Sequence, residues 1–349
     1  MKIVHCIFSF NTGGAETMLI DIVNEQIKTQ EVTVVIVNHI YHKELIAQLD
    51  KKIRLIFIGR KPHSYSILPL LRLNWILFRL HPDIIHLHNY AMSRIIFPLM
   101  PSKLFLTVHD LHISLKYVKD KTNLIAISNA VKDDISSKGN YKIYTIPNGI
   151  NFERIEKRSN SGILNEKFRI VQVANLIMNK KGQDILINAI SILKKRNIKN
   201  IEVSFIGTGN DIHILKQMAD NLGVSEQIHF LGLKDRQYIY SHLKEYDLMC
   251  HPARYEGFGL CIAEGIAAML PILVSDEGWP YEIIKQGRLG YAFQSGNAVD
   301  CADKIEYILK NYNDAVKLTF PAYEHAMQHY SIKRMVKKYT QSYKDANNK

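Results

Sequence analysis

The sequence predicts an α/β chain built from two doubly wound parallel sheets. Three observations carry this reading. Short apolar, β-branched segments alternate with longer amphipathic ones, the pattern of parallel strands joined by crossover helices. The alternation is interrupted near the middle by a polar, aperiodic stretch and then restarts. The length of 349 residues suits two domains.

The first series opens with a strand at Lys2–Phe8. The helix Ala15–Lys28 follows, with Met18, Leu19, Ile22, Val23 and Ile27 recurring on one face. Strands are expected at Glu31–Val37, Ile53–Ile58, Asp83–His88, Leu104–Val108, Leu124–Ile127 and Ile143–Ile146. The interruption, Asn148–Asn165, reads as a linker. The second series places strands at Phe168–Ala174, Ile201–Ile206, Gln227–Phe230, Asp247–His251, Ile272–Ser275 and Tyr291–Phe293. Its helices are expected at Gln183–Lys195, Asp211–Leu222, Arg236–Glu245, Gly259–Met269 and Val299–Asn311. Ser331–Asp345 closes the chain as a basic helix. The expected domains are therefore residues 1–155 and 165–320, with 321–349 returning toward the first. Two such sheets facing a cleft would bind ligands at their strand carboxyl ends.

Composition narrows the class. Hydrophobic residues make up 47% and charged residues 22%, which excludes disordered and collagen-like chains. The four cysteines, Cys6, Cys250, Cys261 and Cys301, form no CxxC pair, against a zinc ribbon or disulfide framework. No apolar run is long enough to span a membrane. The N-terminus lacks a small-residue cleavage site and reads as a strand rather than a signal peptide. A reducing, cytoplasmic location is expected. The formal charge is +12, of which residues 1–158 carry +8; such a basic half points to an anionic partner. No nucleic-acid reader motif accompanies the charge.

Two segments carry chemistry. In Asn11-Thr12-Gly13-Gly14-Ala15-Glu16, two glycines sit between a strand and a helix. Their amides can approach an anion at the helix N-terminus, or simply make a tight turn. In Tyr255-Glu256-Gly257-Phe258-Gly259-Leu260-Cys261-Ile262-Ala263-Glu264, Glu264 falls among apolar helix residues. An ionised carboxylate there can accept two hydroxyls at once, as a ribose diol offers them. Glu256 can take hydroxyls of another sugar, and the amides of Phe258, Gly259 and Leu260 open a helix that favours phosphate. Sugar, phosphate and ribose acceptors thus follow the order in which a nucleotide sugar presents them. The bland alternative is a capping Glu and a surface Glu.

This segment resembles the E-x(7)-E motif of retaining GT-B glycosyltransferases, the large family 4-like group of bacterial surface polysaccharide type. Gly13-Gly14-Ala15-Glu16, Thr107-Val108-His109-Asp110, Ala126-Ile127-Ser128-Asn129, Ile146-Pro147-Asn148-Gly149-Ile150 and Lys181-Gly182 resemble further segments of that family, in order. The resemblance covers roughly residues 1–310 and implies two Rossmann-like domains. It implies catalytic roles for His109, beside the donor sugar, and for Glu256, on its hydroxyls. It assigns the Gly14 amide and Lys181 to the donor diphosphate and Glu264 to the ribose. An imidazole ending a strand can donate to a sugar hydroxyl or be merely structural. An ammonium after a strand suits a diphosphate or is a solvated loop charge.

The sequence also departs from the pattern. Where many relatives have Gly-Arg-Leu, it has Ala174-Asn175-Leu176. Asn175 and Arg254 are the possible phosphate clamp; Asn175 can hydrogen-bond but supplies no charge, so Lys180 with Lys181, or Arg254, would compensate. No Asp-x-Asp motif is present, and no metal or cofactor is expected. The implied activity is hexosyl transfer from a nucleotide sugar, UDP-sugar favoured, to a glycan or lipid-linked glycan in capsule, exopolysaccharide or lipopolysaccharide assembly. The alternatives are a UDP-sugar 2-epimerase-like isomerase and an inactive nucleotide-sugar-binding subunit.

Ser66–Leu80 is apolar almost all round, with Arg72 and Arg79 inside it and Arg60 and Lys61 just before. It reads either as an interfacial helix on an anionic membrane or as a buried crossover helix with two snorkelling arginines. On the first reading the protein is peripheral at the inner face of the cell membrane.

Overall fold

A computed structural model describes residues 1–347 apart from Thr12, His63, residues 98–101 and residues 160–165. The chain divides into two units, Met1–Gly149 with Ile332–Lys349, and Ile150–Ser331.

The first unit holds a seven-stranded sheet: β1 (Lys2–Ile7), β2 (Glu31–Asn38), β3 (Arg54–Arg60), β4 (Ile84–Leu87), β5 (Lys103–Val108), β6 (Asn123–Ala126) and β7 (Ile143–Thr145). The order is β3-β2-β1-β4-β5-β6-β7, every pair parallel. Parallel strands need crossovers, and helices on both faces make their side chains apolar throughout. β1 and β2 accordingly bury every residue after the first. The helix Gly14–Gln26 packs Leu19, Ile20 and Val23 against Val32, Val34 and Ile36 of β2.

The second unit holds six parallel strands: β8 (Phe168–Val173), β9 (Ile201–Ile206), β10 (Ile228–Gly232), β11 (Leu248–His251), β12 (Ile272–Ser275) and β13 (Tyr291–Phe293). Their order is β10-β9-β8-β11-β12-β13. Its core joins Ile185, Ile190 and Leu193 of the helix Gln183–Lys195 to Ile170, Val203 and Leu248 of the sheet. Side-chain caps start two helices: Asp235 accepts from the Tyr238 amide at 2.7 Å, and Asn297 from those of Val299 and Asp300.

Three expectations change. The stretch 148–165 is no free linker where it is described; its part 160–165 lies outside the described residues. The Ile150, Glu156 and Arg158 amides donate to the carbonyls of Tyr330, Tyr240 and Ala268. The Arg158 guanidinium pairs with the buried Asp247 at 2.7 Å. Polarity here marks docking by hydrogen bonds. Second, a helix at Tyr312–Tyr330 went unread, because Pro321 interrupts its pattern. Third, the segment belonging to the first unit starts at Ile332, not 321. Its helix Ile332–Asn347 buries Met335, Val336, Tyr339 and Tyr343, at helical spacing.

Candidate functional site

In the second unit the winding direction changes between β8 and β11, which lie side by side. Loops leaving two such strands diverge, and open α/β sheets hold ligands in the gap. The loop after β11 meets the turn ahead of the helix Gln183–Lys195 through Gly182. That residue sits at φ +67°, and a Cβ there would stand 1.9 Å from the Pro252 carbonyl oxygen. No other residue fits such an approach. Gly207 does the same service after β9, where a Cβ would stand 2.0 Å from the Ala174 carbonyl oxygen.

Glu256 is the charge centre of this edge. The Lys181 ammonium donates to its Oε2. His251 Nε2 lies 3.2 Å from the same oxygen, and Oε1 accepts from the Gly257 amide at 3.2 Å. Burial opposes ionisation of Glu256, but the His251 hydrogen bond and the Lys181 charge outweigh it and hold the carboxyl well below its usual range. His251 ends β11, with Nδ1 3.5 Å from Cys261 Sγ. Burial would lower this imidazole; Cys261 and Glu256 overcome that and raise its pKa to about 9. At neutral pH the carboxylate is therefore ionised between two cations.

Sequence reasoning treated Lys181 and Glu256 as separate contacts, and the fold joins them in one ion pair. It missed His251. The available signal was a histidine at a strand end five positions before Glu256. Arg254 is engaged elsewhere: its guanidinium meets both Asp184 oxygens, at 2.9 and 2.6 Å, and the Met178 carbonyl at 2.9 Å. It braces the turn that carries Lys181. Asn175 is exposed, and its carbonyl accepts from Gln183 Nε2 at 3.0 Å.

Gly259, at φ +69°, precedes the helix Leu260–Ala267. The Phe258 ring packs 4.9 Å from Trp279, so its main chain is the part able to meet a ligand. Glu264 lies inside that helix and is 9% exposed.

The first unit changes winding between β1 and β4. After β1, Gly13 precedes the helix Gly14–Gln26 in extended backbone, and Thr17 Oγ1 donates to its carbonyl at 2.7 Å. Thr12 of this loop lies outside the described residues. Gly14 is exposed, with nothing within 4 Å of a built Cβ, so the helix start is open to an approaching group.

His5 of β1, His86 of β4, and His88 and His109 just beyond β4 and β5 form a layer of histidines. His86 and His88 are two positions apart and so share a side, and His5 is the in-register neighbour of His86. His5 bonds Gln26 Oε1 at 2.7 Å and His88 Nε2 at 3.0 Å. His86 bonds the Tyr343 hydroxyl at 2.5 Å and Thr107 Oγ1 at 2.7 Å. His88 stacks on His86 at 4.7 Å and lies 5.9 Å from the His109 ring, centroid to centroid. Burial keeps all four neutral: His5 and His109 fall to about 4, and His86 and His88 well below the usual imidazole value. Nitrogens of His5, His86 and His88 lie within 4.8 Å of one another. Both nitrogens of His5 and of His86 are already in hydrogen bonds, so the cluster is a polar layer rather than a metal centre. His109 alone of these was read from the sequence. It directly follows β5, half-buried, and its Nε2 meets no partner among the described residues. A cavity of about 650 Å³ in this unit lies at the opposite strand edge, lined by Lys103, Thr122, Asn123 and Lys142.

Comparison with known proteins bears on this geometry. Residues 12–154 match the family described as Glycosyltransferase Family 4, and residues 153–325 match Glycosyl transferases group 1. The two matches run end to end across the two sheets. The chain thus belongs to these families, a Glycosyltransferase Family 4 domain followed by a Glycosyl transferases group 1 domain. Within that class it is 27% identical, over 65% of its length, to an uncharacterized glycosyltransferase of Methanocaldococcus jannaschii. The chain spans 43–61% of the length of the first curated relatives it matches. Its fold is similar to the crystal structure of Anabaena HepE in complex with UDP and glucose, with a TM-score of 0.82 at 20% identity, covering 98% of this chain and 99% of that one. It is also similar to the lipopolysaccharide outer core galactosyltransferase WaaB, with a TM-score of 0.73 at 17% identity over 98% of this chain and 99% of that one.

Proposed function

We propose that the chain transfers a hexosyl group from a nucleotide sugar, most readily a UDP-sugar, to a hydroxyl of a glycan or lipid-linked glycan, with retention of configuration. One observation carries the reading. A carboxylate, Glu256, is kept ionised beside Lys181 and His251, directly ahead of a helix start at Gly259–Leu260. An ionised carboxylate accepts sugar hydroxyls, and an ammonium beside a helix N-terminus receives a diphosphate. The UDP and glucose held by HepE support the choice of donor. The substrate class of WaaB supports a place in surface polysaccharide assembly.

In this reading the bond from the anomeric carbon to the donor phosphate oxygen breaks, and a bond to the acceptor oxygen forms on the same face. The acceptor's proton passes to the departing diphosphate. Lys181 and the amides of Phe258, Gly259 and Leu260 neutralise the diphosphate as its charge grows. Glu256 fixes the sugar by its hydroxyls and Glu264 takes the ribose; the roles proposed for Gly14 and His109 are toward the diphosphate and the donor sugar. No carboxylate nucleophile and no metal is required. Transfer is then chiefly a matter of positioning and charge stabilisation.

The test is release of UDP from a panel of UDP-sugars, with and without a lipid-linked glycan extract. Acceptor-dependent release, abolished by Glu256→Ala and by His109→Ala in folded protein, is expected. Conversion of a UDP-sugar without acceptor would indicate an isomerase. Nucleotide binding without turnover would indicate an inactive subunit. Normal turnover in both variants would refute the site assignment.

A further inference from the structure

The helix Leu68–Leu80 is apolar on two sides, and the fold uses one of them. Leu73 and Leu77 are fully buried. Between them Asn74 anchors the helix, donating to the Leu70 and Ile95 carbonyls and accepting from the Phe97 amide at 2.7 Å. The other side is open. Leu68, Leu71, Trp75 and Phe78 are 70, 47, 61 and 57% exposed. Their spacing of three and four residues makes them one stripe along the helix. Tyr65 and Ile67, exposed as well, extend it at the N-terminal end. The segment is thus a packed crossover helix that leaves a second apolar face uncovered.

Scattered exposed apolar residues are normal, but a continuous stripe of this size marks a contact surface. Its charge says what kind. Arg72 and Arg79 flank the stripe, with the Arg79 guanidinium 5.4 Å from the Trp75 ring centroid. From Lys51 to Pro82 the chain carries seven Lys/Arg and no Asp/Glu. Among the described residues none of those seven pairs with a carboxylate. A second copy of this chain would set like charge against like. Leucine, tryptophan and phenylalanine on one arc, with arginines at its border, match the boundary between acyl chains and anionic headgroups.

We propose that Leu68–Leu80 docks this unit on an anionic lipid bilayer, with Leu68, Leu71, Trp75 and Phe78 entering the headgroup boundary and Arg72 and Arg79 meeting lipid phosphates. This deepens the reading of a lipid-linked acceptor, but docking is measured without turnover. The full chain is mixed with phosphatidylcholine vesicles, or with vesicles containing equal parts of phosphatidylglycerol. Co-sedimentation and tryptophan emission are recorded. There are two tryptophans, and Trp279 is buried, so a blue shift reads Trp75.

Binding and a blue shift with the anionic vesicles alone, both weakened by salt, are expected. Trp75→Ser with Phe78→Ser should weaken partition by about tenfold or more. Arg72→Gln with Arg79→Gln should weaken it and flatten the salt dependence. Absence of binding to anionic vesicles, or binding unchanged in the Trp75/Phe78 variant, would overturn the proposal. So would a dimer abolished by these substitutions without vesicle binding. UDP release with a water-soluble acceptor is measured on the same samples. Failure of release with intact vesicle binding would sink the function reading and leave the docking surface standing.

Discussion

His251 Nε2 and Lys181 Nζ converge on a single oxygen, Oε2 of Glu256, the imidazole at 3.2 Å. One carboxylate thus holds a strand end and a helical turn together. The same contact keeps it charged where sugar hydroxyls are expected. A diphosphate arriving at the helix start would compete with Glu256 for Lys181, so binding and release can be coupled through this pair. Glu256→Gln keeps the shape and removes the charge. It should lower the rate of UDP release by about a hundredfold or more, with the circular dichroism spectrum unchanged. A variant within about threefold of wild type would end the assignment.

The pKa of His251 gives this cluster an alkaline limit. Its folded value, about 9, lies above the ordinary 6.5. Between those values the folded state holds a proton the unfolded state has lost. The stabilisation is full below about pH 6.5 and disappears as pH rises through 9. Glu256, depressed in the folded state, stabilises above the ordinary carboxylate range and loses that effect only on acidification. Melting temperature should therefore fall between pH 7 and 9.5, and His251→Phe should flatten that slope. An equally steep slope in the variant would count against the pairing.

The histidine layer sets an acid limit by the opposite sign. His5 and His109 have folded values near 4, so between pH 6.5 and 4 the unfolded chain binds protons that the folded chain refuses. Each such group takes away up to about 1.4 kcal/mol per pH unit on acidification. Urea unfolding at several pH values should show stability dropping steeply below pH 6.5, and less steeply in His5→Gln. A flat profile would show the layer to be solvated.

Tyr343 of the last helix contacts His86 Nδ1 at 2.5 Å from a fully buried position. Tyr343→Phe leaves that nitrogen without its partner and should cost about 1–3 kcal/mol. Hydrogen exchange should quicken in β4 and β5. Unchanged exchange would show that the hydroxyl is dispensable.

Arg158 and Asp247 form a buried pair, with side chains 9% and 1% exposed. Arg158→Ala strands the carboxylate and should cost about 3–5 kcal/mol. Asp247→Asn in the same chain should restore part of this, because its Oδ1 faces the lost arginine while Oδ2 accepts from the Arg169 amide. Equal stability of Arg158→Ala and wild type would dismiss the pair.

The alternation of apolar and amphipathic segments already determined two parallel sheets, their strands and most crossovers, because hydrophobic periodicity is a local property. The residue types along Tyr255–Glu264 pointed to a hydroxyl- and phosphate-binding edge for the same reason. Tertiary structure alone decided what touches what. Lys181 and Glu256 are 75 positions apart, and His86 and Tyr343 are 257 apart; no local pattern announces such pairs. It also decided that Arg254 serves Asp184, that Arg158 ties a polar stretch to the second unit, and that Trp75 and Phe78 stay uncovered. Pairing and exposure depend on which surfaces meet after the chain has crossed over, and those are settled by packing, not by the order of residues along one segment.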